Sequence, residues 1–407
     1  MASLTSKQRV SLTILVAALG YFVDVFDLQL FSMLRLSSLK SFGLSPEQIT
    51  SVGVDLLNWQ MAGMLLGGIL WGMLGDKRGR VYVLFGTILL YSIGNIANGF
   101  VHTIPAYAAA RFITGFGLAG EIGAGITLAS ELLPKSTRGY GSTVIVGVGV
   151  VGPLFAGFLA DAFDWRTCYI CGGVLGLALL ALRVAVNESG LYSAAAKQGI
   201  ARGHFRMLFN NSKRFKRYLA CIGIGIPIWF LVGIIVIFSP EIATGLGIEA
   251  PVKATNSVIS YYIGITLGGF ISGLISQIFK NRKKVIAAFI LGLAIMITVI
   301  FSAHGITAPQ FYALVVAAGF CTGYWTLFLT TTSEQFGTNI RATATSSVPN
   351  FVRGTTIINT LLVSYMKPTY GFLMSAEIVG IGCFVLAAVA LWFLPETFGR
   401  DLDFNER

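Results

Sequence analysis

Charge is what this chain has least of. Only 12% of its 407 residues are Asp, Glu, Lys or Arg, about half of the ~25% a soluble domain carries. That scarcity excludes a soluble globular enzyme, a disordered regulator and a coiled coil. Histidine occurs three times, at His102, His204 and His304. Residues so scattered give a membrane enzyme no convergent nucleophile, metal or cofactor constellation. The five cysteines (168, 171, 221, 321 and 383) all fall in apolar runs. Cys168 and Cys171 have C-x-x-C spacing without companion ligands in their span, which argues against metal or redox use. No small-residue cleavage site follows the first apolar run, so that run reads as a membrane span rather than a signal peptide.

What is abundant is apolar side chain (55%), glycine (48 residues) and a mean hydropathy of +0.76. At about 20 residues per membrane helix, the chain has room for a dozen spans. Apolar stretches of helix length fall at 10–35, 49–74, 81–101, 106–133, 139–160, 165–186, 218–238, 256–279, 285–303, 309–333, 342–366 and 371–394. The long connection from Asn187 to Arg217 divides them six and six. The reading is an all-α membrane protein of twelve transmembrane helices. It comprises a half over residues 1–186, a basic cytoplasmic linker over 187–217 and a second half over 218–407.

The net charge of +11 is a topology signal and not a nucleic-acid footprint. With the N-terminus inside, 21 of the 29 Lys and Arg residues fall in inner segments, five in outer loops and three (Arg111, Arg183, Arg353) within spans. Cytoplasmic loops carry the basic excess, so both termini are expected in the cytoplasm, with the lipid bilayer and no nucleic acid as partner.

The two halves repeat one another. Glu131 and Arg138 after span four match Glu334 and Arg341 after span ten at an offset of 203, and Glu188 matches Glu396 at an offset of 208. Gly72-x-x-Gly75-Asp76-Lys77-Arg78-Gly79-Arg80 has a degraded echo in Gly273-x-x-Ser276-Gln277 followed by Arg282-Lys283-Lys284. Six spans per half, both entering from one side, describe parallel repeats about an axis along the membrane normal.

Gly72 to Arg80 resembles the signature loop of the major facilitator superfamily. Arg111-x-x-x-Gly115 resembles its fourth-span motif, and Glu188-Ser189 and Pro395-Glu396-Thr397-x-Gly399-Arg400 look like elements of its sugar-porter-like branch. Asp24-Val-Phe-Asp27 is similar to the paired aspartates of the aromatic-acid and organic-acid proton symporters within that branch. The double glutamine that sugar porters carry in span seven is absent from Gly223-Ile-Gly225-Ile-Pro227-Ile-Trp229-Phe230, which disfavours a sugar. The resemblance implies the major facilitator fold, two pseudo-symmetric halves and alternating access around a midplane site, usually in a monomer.

An ionisable residue inside the membrane costs at least ~2.5–3.5 kcal/mol by insertion scales and so marks a functional site. Asp24 and Asp27, one helical turn apart, are the expected proton-coupling groups, unless Arg or backbone donors satisfy them as a structural pair. Arg111 is expected to tune them. It lies ten residues from Glu121, ~15 Å along a helix, so those two cannot pair. Glu121 is a second proton carrier or a helix–helix contact. Arg353 suits bidentate binding of a carboxylate, the alternative being an internal salt bridge to span one. Asn350, Asn58, Trp229, Tyr262, Tyr324 and Trp325 complete the expected substrate contacts. Asp76, Arg80, Glu131, Arg138, Glu188, Glu334, Arg341, Glu396 and Arg400 read as a cytoplasmic latch or as loop anchors. The expectation is a proton-coupled symporter of a small organic anion in a bacterial inner membrane, driven by the proton gradient without a cofactor. A proton-driven exporter of metabolites or drugs is the rival within transport, and a non-transporting nutrient sensor the rival outside it.

Overall fold

The computed structural model describes residues 6–121, 123, 138–182 and 204–406, and every regular element among them is helical. Half one contains α1 (Ser6–Ser41), α2 (Pro46–Arg78), α3 (Arg80–Asn98), α4 (Ile104–Leu118), α5 (Arg138–Ala162) and α6 (Trp165–Leu182). Half two begins with α7 (Ser212–Val236), α8 (Ala254–Phe279), α9 (Arg282–Ser302) and α10 (Ala308–Gln335). Its last helical run, Arg341–Phe393, is interrupted at Gly371, where φ is 75°. Only glycine adopts that conformation without strain, so the run divides into α11 (residues 341–370) and α12 (residues 372–393). Eight described runs are long and apolar enough to cross a bilayer. Division at Gly371, with α2, α4 and α5, completes the twelve spans.

The helix ends are written locally. Ser45 accepts from the Gln48 amide while the Gln48 side chain accepts from the Ser45 N–H, and Pro46 opens α2. Thr307 and Gln310 form the same reciprocal box before α10, and Asn211 and Asn281 cap α7 and α9. Such caps meet the unpaired N–H groups of a first turn.

Three spans carry an internal proline or a change of helix type. Pro227 lies inside α7, which continues as a π-turn over Leu231–Val236. α10 tightens to a 3₁₀ turn at Thr322–Tyr324, and α11 carries Pro349. Irregular backbone within a membrane is tolerated where it lines a protein interior or cavity. The 3₁₀ turn of α10 sits where Gly323 packs on Gly268 of α8, so close that a Cβ on either residue would strike the neighbouring backbone. The halves meet along α2 with α11, α5 with α8, and α1 with α8.

Candidate functional site

A cavity lies between the halves. Tyr21, Val25 and Leu28 of α1 face Ile228, Trp229 and Val232 of α7, Tyr261, Tyr262 and Ile265 of α8, Trp325 of α10 and Arg353 of α11. Its volume is about 20 Å³, room for roughly one water, whereas small-molecule sites measure ~300–1,000 Å³. This is an occluded conformation.

Among the described residues Arg353 is the only cation lining that cavity, and it is 1% exposed. One guanidinium nitrogen reaches Asp24 Oδ2 at 3.3 Å, another donates to Asn350 Oδ1 at 3.4 Å, and the group stands 5.6 Å over the Trp229 ring. Among the described residues Asp24 Oδ1 and Arg353 Nε have no hydrogen-bond partner, so this buried cross-half pair is held but not saturated there. The Trp325 indole donates to the Tyr21 hydroxyl at 3.0 Å, and Gln29 donates to the Tyr262 hydroxyl at 3.1 Å, both across the seam. Three of the expected substrate contacts stand elsewhere. Tyr324 turns away and donates to the Ile224 carbonyl. The Asn350 amide donates to Ala119 and Ser346 carbonyls, so it positions Arg353. Asn58 accepts from Thr360 in the α2–α11 seam. Tyr21 and Gln29 were not anticipated, although Tyr21, Val25 and Leu28 follow the spacing of one helix face.

The two aspartates diverge. Asp24 faces Arg353, while Asp27 faces the interior of half one against Gly172 of α6. Arg111 is the cation whose field reaches Asp27. Its guanidinium makes no hydrogen bond among the described residues and lies 5.2 Å from the Phe31 ring and 5.4 Å from the Tyr169 ring. Glu121 accepts from the Thr87 hydroxyl of α3 at 3.2 Å.

Both mouths are shut by contacts between the halves. At the mouth expected to face the cytoplasm, the Asp76 carboxylate accepts from the Ala342 N–H at 3.1 Å, the Thr343 N–H at 2.7 Å and the Thr343 hydroxyl at 2.6 Å. A carboxylate at the start of α11 satisfies orphan donors and faces the positive end of the helix dipole. At the opposite mouth Arg35, fully buried, meets Glu241 at 2.9 Å and lies 4.5 Å over the Phe238 ring. Thr50 also donates to Glu241. Arg35 reads in sequence as an outer-loop charge, which hid this gate.

The remaining latch residues correct one pairing. Glu334, expected beside Arg341, is held by Arg282 through bonds of 2.7 and 2.8 Å. Arg341 instead donates to the Phe336 and Leu402 carbonyls. Arg400 lies over the Phe404 ring. Glu131, Glu188 and the side chains of Arg80 and Arg138 lie outside the described residues. Glu396 caps α9, accepting from the N–H groups of Arg282, Lys283, Thr397 and Phe398. Burial alone would raise its pKa, but those four donors together hold it below the ordinary carboxylate value. A folded-state pKa below the unfolded one stabilises the fold above the unfolded value, and that stability is lost as pH falls through the folded one. Glu396→Gln is therefore expected to lower the melting temperature at neutral pH. Its difference from the parent should vanish in melts run below the depressed value.

A profile described as Major Facilitator Superfamily matches residues 17–354, and the chain belongs to that family. It is similar to the putative niacin/nicotinamide transporter NiaP of Bacillus subtilis, with 27% identity over 95% of this chain and 96% of that protein. The cis,cis-muconate transport protein of Acinetobacter baylyi is 25% identical over 96% and 94% of the two chains. Among solved structures, the proton:xylose symporter XylE superposes with a TM-score of 0.73 at 18% identity, covering 98% of each chain. That last likeness concerns the fold. The chain is thus an integral, multi-pass membrane transporter, and its relatives are transporters and not enzymes.

Proposed function

We propose that this member of the major facilitator superfamily couples the import of a small organic carboxylate to proton entry. The observation that carries the reading is that Arg353, which lines the one-water cavity, is paired with the buried Asp24. In the empty site the two charges cancel. When Asp24 takes a proton its hold on Arg353 is released, and an incoming carboxylate can occupy the guanidinium in its place. The loaded site then holds one cation, one substrate anion and a neutral carboxyl group. Charge balance is the same in both states, which a low-dielectric site demands. On the cytoplasmic side Asp24 loses the proton, recaptures Arg353 and expels the acid. One carboxylate therefore moves with one proton, powered by the proton gradient and without a cofactor.

The rings of Tyr21, Trp229, Tyr262 and Trp325 offer flat faces beside the cation, which suits planar, unsaturated acids. The relatives named for niacin, cis,cis-muconate and gentisate support that class. The setting is a bacterial inner membrane, with the protein monomeric and both termini cytoplasmic.

The test is purified protein in liposomes with an internal pH dye, while aromatic and aliphatic carboxylates are added outside. Planar acids are expected to acidify the interior. Silence across the acids, with a response to sugars or cations, would overturn the assignment.

A further inference from the structure

A groove of about 630 Å³ lies in half one, apart from the Arg353 cavity and from both gates. Asp55 and Trp59 of α2 form one wall, and Pro105, Ala108, Ala109 and Phe112 of α4 form the other. The two helices pack backbone to backbone at Gly63 and Gly67, where a Cβ would strike Phe112 or Phe116. One turn before Gly63, α2 carries Trp59 instead, its ring edge-on to Phe112 with centroids 6.1 Å apart. The alanines and the proline opposite are too short to fill the space this leaves. Its volume falls within the ~300–1,000 Å³ of small-molecule sites.

The groove is open to the bilayer. Trp59, Leu66 and Leu70 are exposed along one stripe of α2, and Ile113 is exposed beside them on α4. Asp55 heads that stripe, one turn before Trp59, and is itself exposed. Among the described residues no cation lines the groove, and none pairs with Asp55. Acids within membrane spans face the bundle interior or water and find a partner there; Asp55 faces outward without one. It lies nine residues into α2, ~14 Å from the helix start. The 33 residues of α2 span ~50 Å and overshoot a ~30 Å hydrocarbon layer. Asp55 therefore stands near the edge of that layer, where headgroups meet acyl chains and where Trp is also favoured.

We propose that the α2–α4 groove binds a phospholipid whose headgroup ends in a primary ammonium. The ammonium donates to the Asp55 carboxylate, a charge-assisted bond, and lies against Trp59, whose ring face attracts cations. An acyl chain runs inward past Phe112 and Ile113. A lipid with an anionic headgroup brings no cation to Asp55 and meets like charge, so the site selects by repulsion as well as attraction. This site is independent of the transported acid and of its coupling proton.

The test is native mass spectrometry of the purified full chain, given phosphatidylethanolamine or phosphatidylglycerol with identical acyl chains. The ethanolamine lipid is expected to bind about tenfold more tightly, ~1.4 kcal/mol. Asp55→Asn should abolish that preference, and Asp55→Lys should reverse it toward phosphatidylglycerol. Glu47→Gln removes an exposed acid two turns earlier on α2, outside the groove, and should leave the preference intact. Equal binding of the two lipids by the parent overturns the site. So does a preference that survives both Asp55 variants, or one that Glu47→Gln removes as well. A lipid-free dimer would also overturn it, the groove then being covered by a second copy of the chain.

Discussion

Replacing Arg353 by alanine is expected to reduce acid uptake by at least ~100-fold, because removing one partner of a buried ion pair costs ~3–5 kcal/mol. Asp24 and Arg353 are both essentially inaccessible, so the truncation strands a carboxylate in the seam as well as deleting the substrate's cation. Arg353→Lys keeps the charge but loses the planar fork that suits a carboxylate, and should retain a small residual rate. Asp24→Asn behaves differently. It leaves Arg353 permanently available, so the acid should still bind and exchange while acidification is lost. A ligand that binds only the folded state raises its melting temperature, so the acid should stabilise Asp24→Asn more than the parent, which must first break its own pair. The double variant should melt near the parent and transport nothing. Radiolabelled uptake, melts with and without the acid, and the pH dye separate these outcomes. Undiminished uptake by Arg353→Ala would end the assignment of Arg353 to the substrate.

How much of this was legible in the sequence depends on which physical force wrote the feature. The bilayer demands apolar runs of fixed length and biases Lys and Arg to one side, so the twelve spans and two halves could be read directly. The closing of a helix start by a carboxylate is also local chemistry, and Asp76 was expected in a latch, the role its bonds to Ala342 and Thr343 fit. Side-chain direction is a finer matter. One residue turns a helix face by ~100°, and that rotation separates Trp325 in the cavity from Tyr324 outside it. The 3₁₀ turn in α10 fixed the outcome, and the glycines before it showed only that a bend was available. Partners far apart in the chain were hidden as well. The repeat suggested that Glu334 would find Arg341, but the fold brings Arg282 to it. Arg35 and Glu241 are 206 residues apart and carry no local pattern.

The occluded conformation is a balance of two latches, and cutting either should tip it in a known direction. Asp76 holds α2 of half one to the start of α11 in half two through three bonds to a carboxylate. Hydrogen bonds to charged groups contribute ~1.5–3 kcal/mol each, without simple additivity. Asp76→Ala is therefore expected to raise the inward-open population at least ~10-fold, a shift of ~1.4 kcal/mol. Glu241→Gln removes the charge opposite Arg35 while nearly preserving shape, and should move the balance outward by a comparable factor. The two contacts lie on opposite faces and share no partner, so their effects should largely cancel in the double variant. Distances between spin labels across each mouth would report the populations. Each single variant should lengthen one distance alone, and the double variant should return toward the parent. If Glu241→Gln left the outer distance unchanged, Arg35 would be a packing residue held by Phe238, and the outer mouth would close through the apolar seam alone. If Asp76→Ala opened both mouths, its bonds would hold the halves together as a whole, and rocking would not be the motion by which this transporter works.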